Sequence, residues 1–97
     1  MPLYLDQIWL DHAHLREALQ AFSALAHGAS GYPPGVRVVA GPWFSNEEAK
    51  IVLVLDIADH AETFPAFASG LLAGVLTRRR LEPIVEWSAV DALVGPG

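Results

Sequence analysis

The sequence has no cysteine and few charged residues, and both shortages limit what the chain can be. Without cysteine it cannot form disulfides, thiolate zinc sites, iron–sulfur clusters or a cysteine nucleophile. Charged residues make up 18% of the chain and apolar residues 53%, a balance that excludes an intrinsically disordered protein. Ninety-seven residues are the length of one domain with its own core, so we predict a single domain over residues 1–97.

The sequence also lacks a basic excess, a long apolar run and the common catalytic signatures. Its net charge of −5 argues against binding to a nucleic-acid backbone. The uncharged stretch Thr63 to Thr77 is shorter than the about 20 residues of a membrane span. No basic start precedes Asp6, so we expect no signal peptide and a cytoplasmic location without membrane partners. No P-loop, Gly-x-Ser-x-Gly or His-Glu-x-x-His signature is present, and no cofactor or metal is expected.

The spacing of apolar residues predicts four strands and two helices. The strands are predicted over residues 3–10, 36–44, 50–57 and 81–90, and the helices over about 12–27 and 63–79. Asp11 is the predicted N-cap of the first helix, and Asp59 or Thr63 that of the second. Gly41-Pro42 interrupts the second strand, which is therefore expected at a sheet edge or at a bulge. The order βαββαβ predicts a ferredoxin-like α+β fold, a four-stranded antiparallel sheet with two helices on one face.

The predicted strands are apolar on both faces. In the third strand Ile51, Leu53 and Leu55 alternate with Val52 and Val54, whereas a sheet with one solvated face alternates apolar with polar residues. Two helices can cover only one face of the sheet. We therefore predict a homodimer in which the second faces of two copies pack about 10 Å apart.

The second predicted helix has an apolar stripe and a back of small residues. The stripe, expected to face the sheet, consists of Phe64, Phe67, Ala68, Leu71, Leu72, Val75 and Leu76. The back includes Ser69, Gly70, Ala73 and Gly74, and it is interpreted either as plain surface or as a contact for a partner element. The run Arg78-Arg79-Arg80 is expected at the C-terminus of this helix, where cations complement the helix dipole.

A chain of this length, element order and two-sided sheet resembles the dimeric α+β barrel superfamily, which includes antibiotic-biosynthesis monooxygenases and muconolactone-isomerase-like proteins. The segments GVRVVAGPW (35–43) and LEPIVEW (81–87) look like strands two and four of uncharacterised members. The resemblance covers most of the chain, and no catalytic signature matches residue by residue. It implies a ligand cavity between each sheet and its own helices.

Three residues are candidates for a catalytic base. His14 is nearer to the apolar stripe of its helix than His12, and the two histidines diverge on a helix, which disfavours a metal site. His60 lies at the start of the second helix, where the dipole favours a neutral imidazole. Asp6 is a carboxylate on a mostly apolar strand. It either pairs with a cation, such as Arg37 across a dimer interface, or acts as a general base beside an apolar pocket.

Four further residues are candidates for ligand contacts. Trp9 and Trp43 lie on predicted strands, as does Trp87, and each is either a core or interface anchor or the wall of a pocket for a flat ligand. Asn46 lies in the turn that follows Trp43. Tyr32, in the loop rich in glycine and proline after the first helix, is a candidate lid residue.

These observations favour a homodimer that binds a small apolar or aromatic molecule. It is a candidate cofactor-independent oxygenase, isomerase or cyclase, since such chemistry needs a base and a dry cavity. The alternatives are a non-catalytic ligand-binding module and a structural accessory protein that docks to a partner through the small-residue back of the second helix.

Overall fold

The computed structural model describes residues 2–27 and 35–95, which form one antiparallel sheet and three α-helices. In chain order the elements are β1 (Leu3–Leu10), α1 (Leu15–Ala26), β2 (Val36–Phe44), β3 (Lys50–Ile57), α2 (Phe64–Leu72), β4 (Leu76–Ile84) and α3 (Trp87–Val94). The strand order is β2-β3-β1-β4, and every neighbouring pair is antiparallel. The chain is therefore an α+β protein, compatible with a ferredoxin-like fold.

Two aspartates start the helical segments: Asp11, as the sequence predicts, and Asp59, one of the two alternatives for the second segment. The side chain of Asp11 accepts a hydrogen bond from the Ala13 amide, and that of Asp59 accepts one from the Ala61 amide. Each of these caps a short 3-10 turn that leads directly into α1 or α2. Pro65 thus falls in the first turn of α2, where its missing amide hydrogen costs no helical hydrogen bond.

The edge position predicted for the second strand is confirmed. β2 pairs only with β3 in the described sheet, and its register shifts on both sides of Ala40. Gly41 has a φ of 91°, and a Cβ atom there would lie 2.9 Å from the carbonyl oxygen of Val52. Glycine is therefore required at this bulge both by its backbone conformation and by the close approach of β3.

One face of the sheet carries the core. Register pairs Asp6 with Leu53 and Ile8 with Ile51, so these side chains share the face that α1 and α2 cover. The buried apolar residues are Ile8, Leu10, Ala18, Ile51, Leu53, Leu55 and Ile57. The third strand thus turns its odd-numbered residues toward the helices.

The fourth strand and the preceding helix differ from their predicted ranges. α2 ends at Leu72, because Gly74 has a φ of 76° and turns the chain out of the helix. β4 starts at Leu76, so the prediction of a strand over 81–90 and of a helical arginine run at 78–80 is wrong. In a strand the three arginines alternate, and Arg79 points to the opposite face from its two neighbours. Trp87 lies in α3 and is 73% exposed, so it is not a strand residue.

Only part of the apolar stripe predicted for α2 faces the sheet: Phe67 lines the space between the two layers, as do Val75 and Leu76 beyond the helix. Phe64, Leu71 and Leu72 of the apolar stripe are exposed, with Leu72 at 91%. The small residues Ser69, Gly70 and Ala73 border the same cavity, with Ser69 and Ala73 at its exposed side. Because small side chains do not reach across the gap to the sheet, this orientation leaves space between the two layers.

α3 extends from the end of β4 without packing extensively against any other described element. All of its residues except Val90 are exposed, Leu93 at 86% and Val94 at 70%. The radius of gyration is 14.9 Å, whereas a compact chain of this length has about 12.5 Å. Of the helices in the described ranges, none has the length and apolar character needed to cross a membrane.

Candidate functional site

A cavity of about 360 Å³ lies between the sheet and the helices α1 and α2. Its walls are mainly apolar, with Ile8 and Leu55 from the sheet, Phe22 and Leu25 from α1, and Phe67 from α2. The volume is within the range of about 300–1,000 Å³ that is typical of small-molecule sites. The described residues therefore enclose a space of small-molecule size between the sheet and the helices of the same chain.

The polar part of the cavity is an ion pair between Asp6 and Arg79. Arg79 donates from Nε to Asp6 Oδ1 and from Nη2 to Asp6 Oδ2, both at 2.8 Å. Register places Asp6 opposite Leu81 on β4, two residues from Arg79, so the two side chains are diagonal neighbours on the same face. Their side chains are 3% and 11% exposed, which makes this a buried, bidentate pair.

Thr63 connects this ion pair to the start of α2. Arg79 Nη1 donates to Thr63 Oγ1 at 2.7 Å, and Thr63 Oγ1 donates to the carbonyl oxygen of His60 at 2.7 Å. Phe67, one turn farther along, lies with its ring centroid 5.9 Å from the guanidinium carbon of Arg79. We call Asp6, Arg79 and Thr63 the polar cluster. Hydrogen bonds from all three nitrogens of the Arg79 guanidinium hold this group in position.

Of the three predicted base candidates, Asp6 lines the cavity, whereas His14 and His60 do not. His14 Nδ1 lies 2.9 Å from Asp11 Oδ2 on the surface. This hydrogen bond raises the pKa of His14 above its usual value and lowers that of Asp11. His60 is exposed, and its ring centroid lies 6.3 Å from that of Tyr4. The structure therefore does not bring the two histidines together with Asp6.

The predicted ligand contacts lie away from the cavity. Trp43 is 55% exposed and, paired with Val52, belongs to the sheet face that the helices leave open. Trp9 and Asn46 together line a broad, open depression beside the β2–β3 turn. Tyr32 lies outside the described residues.

Cations of the same chain cover the ring of Trp9. The guanidinium carbon of Arg78 lies 3.8 Å and the Lys50 ammonium 5.0 Å from the ring centroid. Lys50 also donates to Gln7 Oε1 at 2.9 Å and pairs with Glu48 at 3.2 Å, which lowers the pKa of Glu48. Trp9 is therefore stacked within its own chain at this depression.

The ion pairs differ from the pairing that the sequence suggested. Arg37 pairs with Asp56 at 3.2 Å across β2 and β3, and Asp6 pairs with Arg79. Both pairs form within one chain, so the expected pairing of Asp6 with Arg37 of a second copy is wrong. The reason is the path of β4, which brings an arginine to the inner face directly beside Asp6.

Sequence reasoning missed Arg79, Thr63 and the small residues of α2 as parts of the site. One signal pointed to Arg79, because a carboxylate on a buried strand face requires a cation or several hydrogen bonds. Arg79 was not recognised as the partner of Asp6, because the arginine run was interpreted as the end of a helix and not as part of a strand.

The side chains that line the cavity indicate what kind of molecule it can hold. No group of three or more potential metal ligands occurs among residues 2–27 and 35–95. The cavity instead combines an apolar wall with one fixed, charge-balanced polar cluster, an arrangement suited to holding a small molecule in one orientation. No protein-family model matches the chain, and a comparison with curated proteins finds no match either.

Proposed function

We propose that this protein binds a small, largely apolar molecule in the cavity between its sheet and its helices, and that it does so as a homodimer of the dimeric α+β barrel type. The observation that carries the binding proposal is the cavity itself, with apolar walls and the polar cluster of Asp6, Arg79 and Thr63. Apolar walls supply affinity, and a few fixed polar groups supply orientation.

The small residues of α2 support this proposal. Ser69, Gly70 and Ala73 line the cavity, while the larger Leu71 and Leu72 of the same helix point outward. A helix usually buries its large apolar side chains, because each contributes about 1.5–3 kcal/mol when fully buried. Because α2 directs only Phe67 among its large apolar residues into the cavity, a space remains that a ligand can fill.

Catalysis is the second candidate, and Asp6 is the observation that favours it. As a carboxylate lining an apolar cavity, Asp6 is placed to take a proton from a bound substrate in a cofactor-independent oxygenase, isomerase or cyclase. However, protonation of Asp6 would remove the charge that balances Arg79. The bidentate pairing therefore supports a binding role better than a general-base role.

The open face of the sheet supports the homodimer. On the face away from α1 and α2, Leu5 lies opposite Val54 on β3 and Leu3 lies opposite Ile84 on β4, with the carboxylates of Asp56 and Glu82 completing the same two rows. A second copy that covers this face would remove these side chains from water. Apolar patches of this kind mark interaction surfaces in proteins that are not membrane-bound.

The accessible area of one chain is also large enough for a dimer interface. One chain exposes 6429 Å², whereas a compact monomer of 10.5 kDa exposes about 5,400 Å². The excess of about 1,000 Å² exceeds the about 800 Å² that each partner buries in a standard interface. α3, with Trp87 and Leu93 exposed, adds a second apolar surface that a partner copy can cover.

Binding of N-phenyl-1-naphthylamine, an uncharged probe that fluoresces in apolar surroundings, tests the ligand site. Ala21 lines the cavity and Ala26 lies on the same helix outside it, so Ala21→Phe fills the site and Ala26→Phe is the matched control. We expect Ala21→Phe to weaken binding at least about tenfold, because it removes apolar volume from the site. The control is expected to bind as the unmodified protein does. Equal affinity in both variants, or no binding by the unmodified protein, would contradict the proposal.

Sedimentation equilibrium tests the homodimer. Val54→Lys places a charge in the middle of the open sheet face, whereas Ala61→Lys places one at an exposed turn before α2. We expect the unmodified protein and Ala61→Lys to sediment with twice the mass of the chain, and Val54→Lys to shift to the mass of one chain. A single-chain mass for the unmodified protein at working concentration would refute the homodimer and leave the ligand site untouched.

A further inference from the structure

The charges that line the cavity limit the charge of its ligand. Among the described lining residues, Asp6 and Arg79 are the charged ones, and they neutralise each other. An anionic ligand at Arg79 would also lie beside the carboxylate of Asp6, and a cationic ligand at Asp6 beside the guanidinium. In either case a charge without a counter-charge would be buried, which costs several kcal/mol in proteins.

The polar cluster retains unused hydrogen-bonding capacity. A guanidinium has five N–H donors, and Arg79 uses three of them, two to Asp6 and one to Thr63. Each carboxylate oxygen of Asp6 accepts one hydrogen bond from Arg79, although an ionised oxygen has about two acceptor positions. Both free donors and free acceptor positions thus remain in the polar cluster of a mainly apolar cavity.

From this balance we propose that the ligand is an uncharged molecule with an apolar ring or chain and one hydroxyl or carbonyl oxygen, which the polar cluster binds. A hydroxyl fits the cluster completely, since it accepts from Arg79 and donates to Asp6. A carbonyl oxygen uses the Arg79 donors alone. This inference rests on the proposed function, because it assigns the ligand class of the same cavity.

The polar cluster also explains how such a ligand would be oriented. Thr63 and Asp6 hold the guanidinium from three of its nitrogens, so its remaining donors keep one direction. The apolar remainder of the ligand would lie between Phe22 of α1 and Phe67 of α2, over Leu55 of the sheet. Specificity for the oxygen then arises from a group that needs no reorganisation on binding.

Three two-ring compounds that differ in one substituent test this inference by displacement of N-phenyl-1-naphthylamine at pH 7. They are naphthalene, the neutral alcohol 2-naphthol and the anion 2-naphthoate. We expect 2-naphthol to bind about tenfold or more tightly than naphthalene, because its hydroxyl bonds to charged groups. We expect 2-naphthoate to bind no more tightly than naphthalene.

The double variant Asp6→Leu/Arg79→Met removes both charges together and serves as the matched control. In this variant we expect naphthalene and 2-naphthol to bind equally, with the preference for the hydroxyl lost. If the variant does not fold, the comparison of the three compounds on the unmodified protein still decides the matter. Tightest binding of 2-naphthoate, or equal binding of naphthalene and 2-naphthol, would overturn this inference while the apolar site stands. Failure of the probe itself to bind would refute the proposed function instead.

Discussion

Loss of Arg79 should destabilise the protein more than loss of any exposed charge. In Arg79→Met the carboxylate of Asp6, whose side chain is 3% exposed, loses both bonds of its buried pair. Breaking one side of such a pair costs about 3–5 kcal/mol, against a total stability of about 5–15 kcal/mol for a domain of this size. With a urea slope of about 1–3 kcal/mol per M, a loss of 3 kcal/mol lowers the unfolding midpoint by about 1–3 M.

The double variant Asp6→Leu/Arg79→Met distinguishes the buried charge from a simple loss of packing. Because both charges are gone, we expect most of the lost stability to return, or even an increase, as apolar replacements of buried pairs do. Urea unfolding at one fixed protein concentration measures all variants, since dimerisation would make the midpoint depend on concentration. The reasoning is refuted if Arg79→Met costs less than about 1 kcal/mol, the level of an exposed pair, or if the double variant is no more stable than the single one.

Three other predictions concern the surface, the bulge and α3. In an NMR titration the pKa of His14 should lie above its usual value and fall toward it in Asp11→Asn, which keeps the helix cap. The stability from this pair should be complete between the usual pKa values of aspartate and histidine. It should decrease as the pH rises through the raised pKa of His14 or falls through the lowered pKa of Asp11. Gly41→Ala should lower the free energy of unfolding by about 1–3 kcal/mol through its positive φ and the nearby Val52 carbonyl; an unchanged urea midpoint would contradict this. Leu93→Asp should shift the mass measured by sedimentation equilibrium toward that of one chain. An unchanged mass would show that α3 is not part of the dimer interface.

Local sequence patterns were sufficient to predict the first three strands and the first helix. The strands over 3–10, 36–44 and 50–57 are found with the predicted bounds, because each has apolar residues at strand spacing and ends at a clear turn signal. The caps at Asp11 and Asp59 follow from the same kind of local chemistry. In these segments the preference of the chain and the demands of packing agree.

The segment from Leu71 onward could not be assigned in this way. Its apolar residues fit both a longer helix and a strand, and Gly74 is the residue at which the chain leaves the helix. The pairing of β4 with β1, which is a contact between distant parts of the sequence, decides for a strand. The orientation of α2 is likewise a tertiary property, since either of its faces could have covered the sheet.

The sequence by itself determined the α+β class and the apolar character of the sheet face that the helices cover, because these depend on composition and on spacing along the chain. The prediction that the other face is apolar too was only partly right, since β4 brings Arg78, Arg80 and Glu82 to it. The sequence also marked Asp6 as a carboxylate in need of a partner. Only the tertiary structure decided that the partner is Arg79 and that small residues of α2 border a cavity beside the pair. Asp6 and Arg79 lie 73 positions apart along the chain. Their contact exists because β1 and β4 are neighbours in the sheet, which no local pattern records.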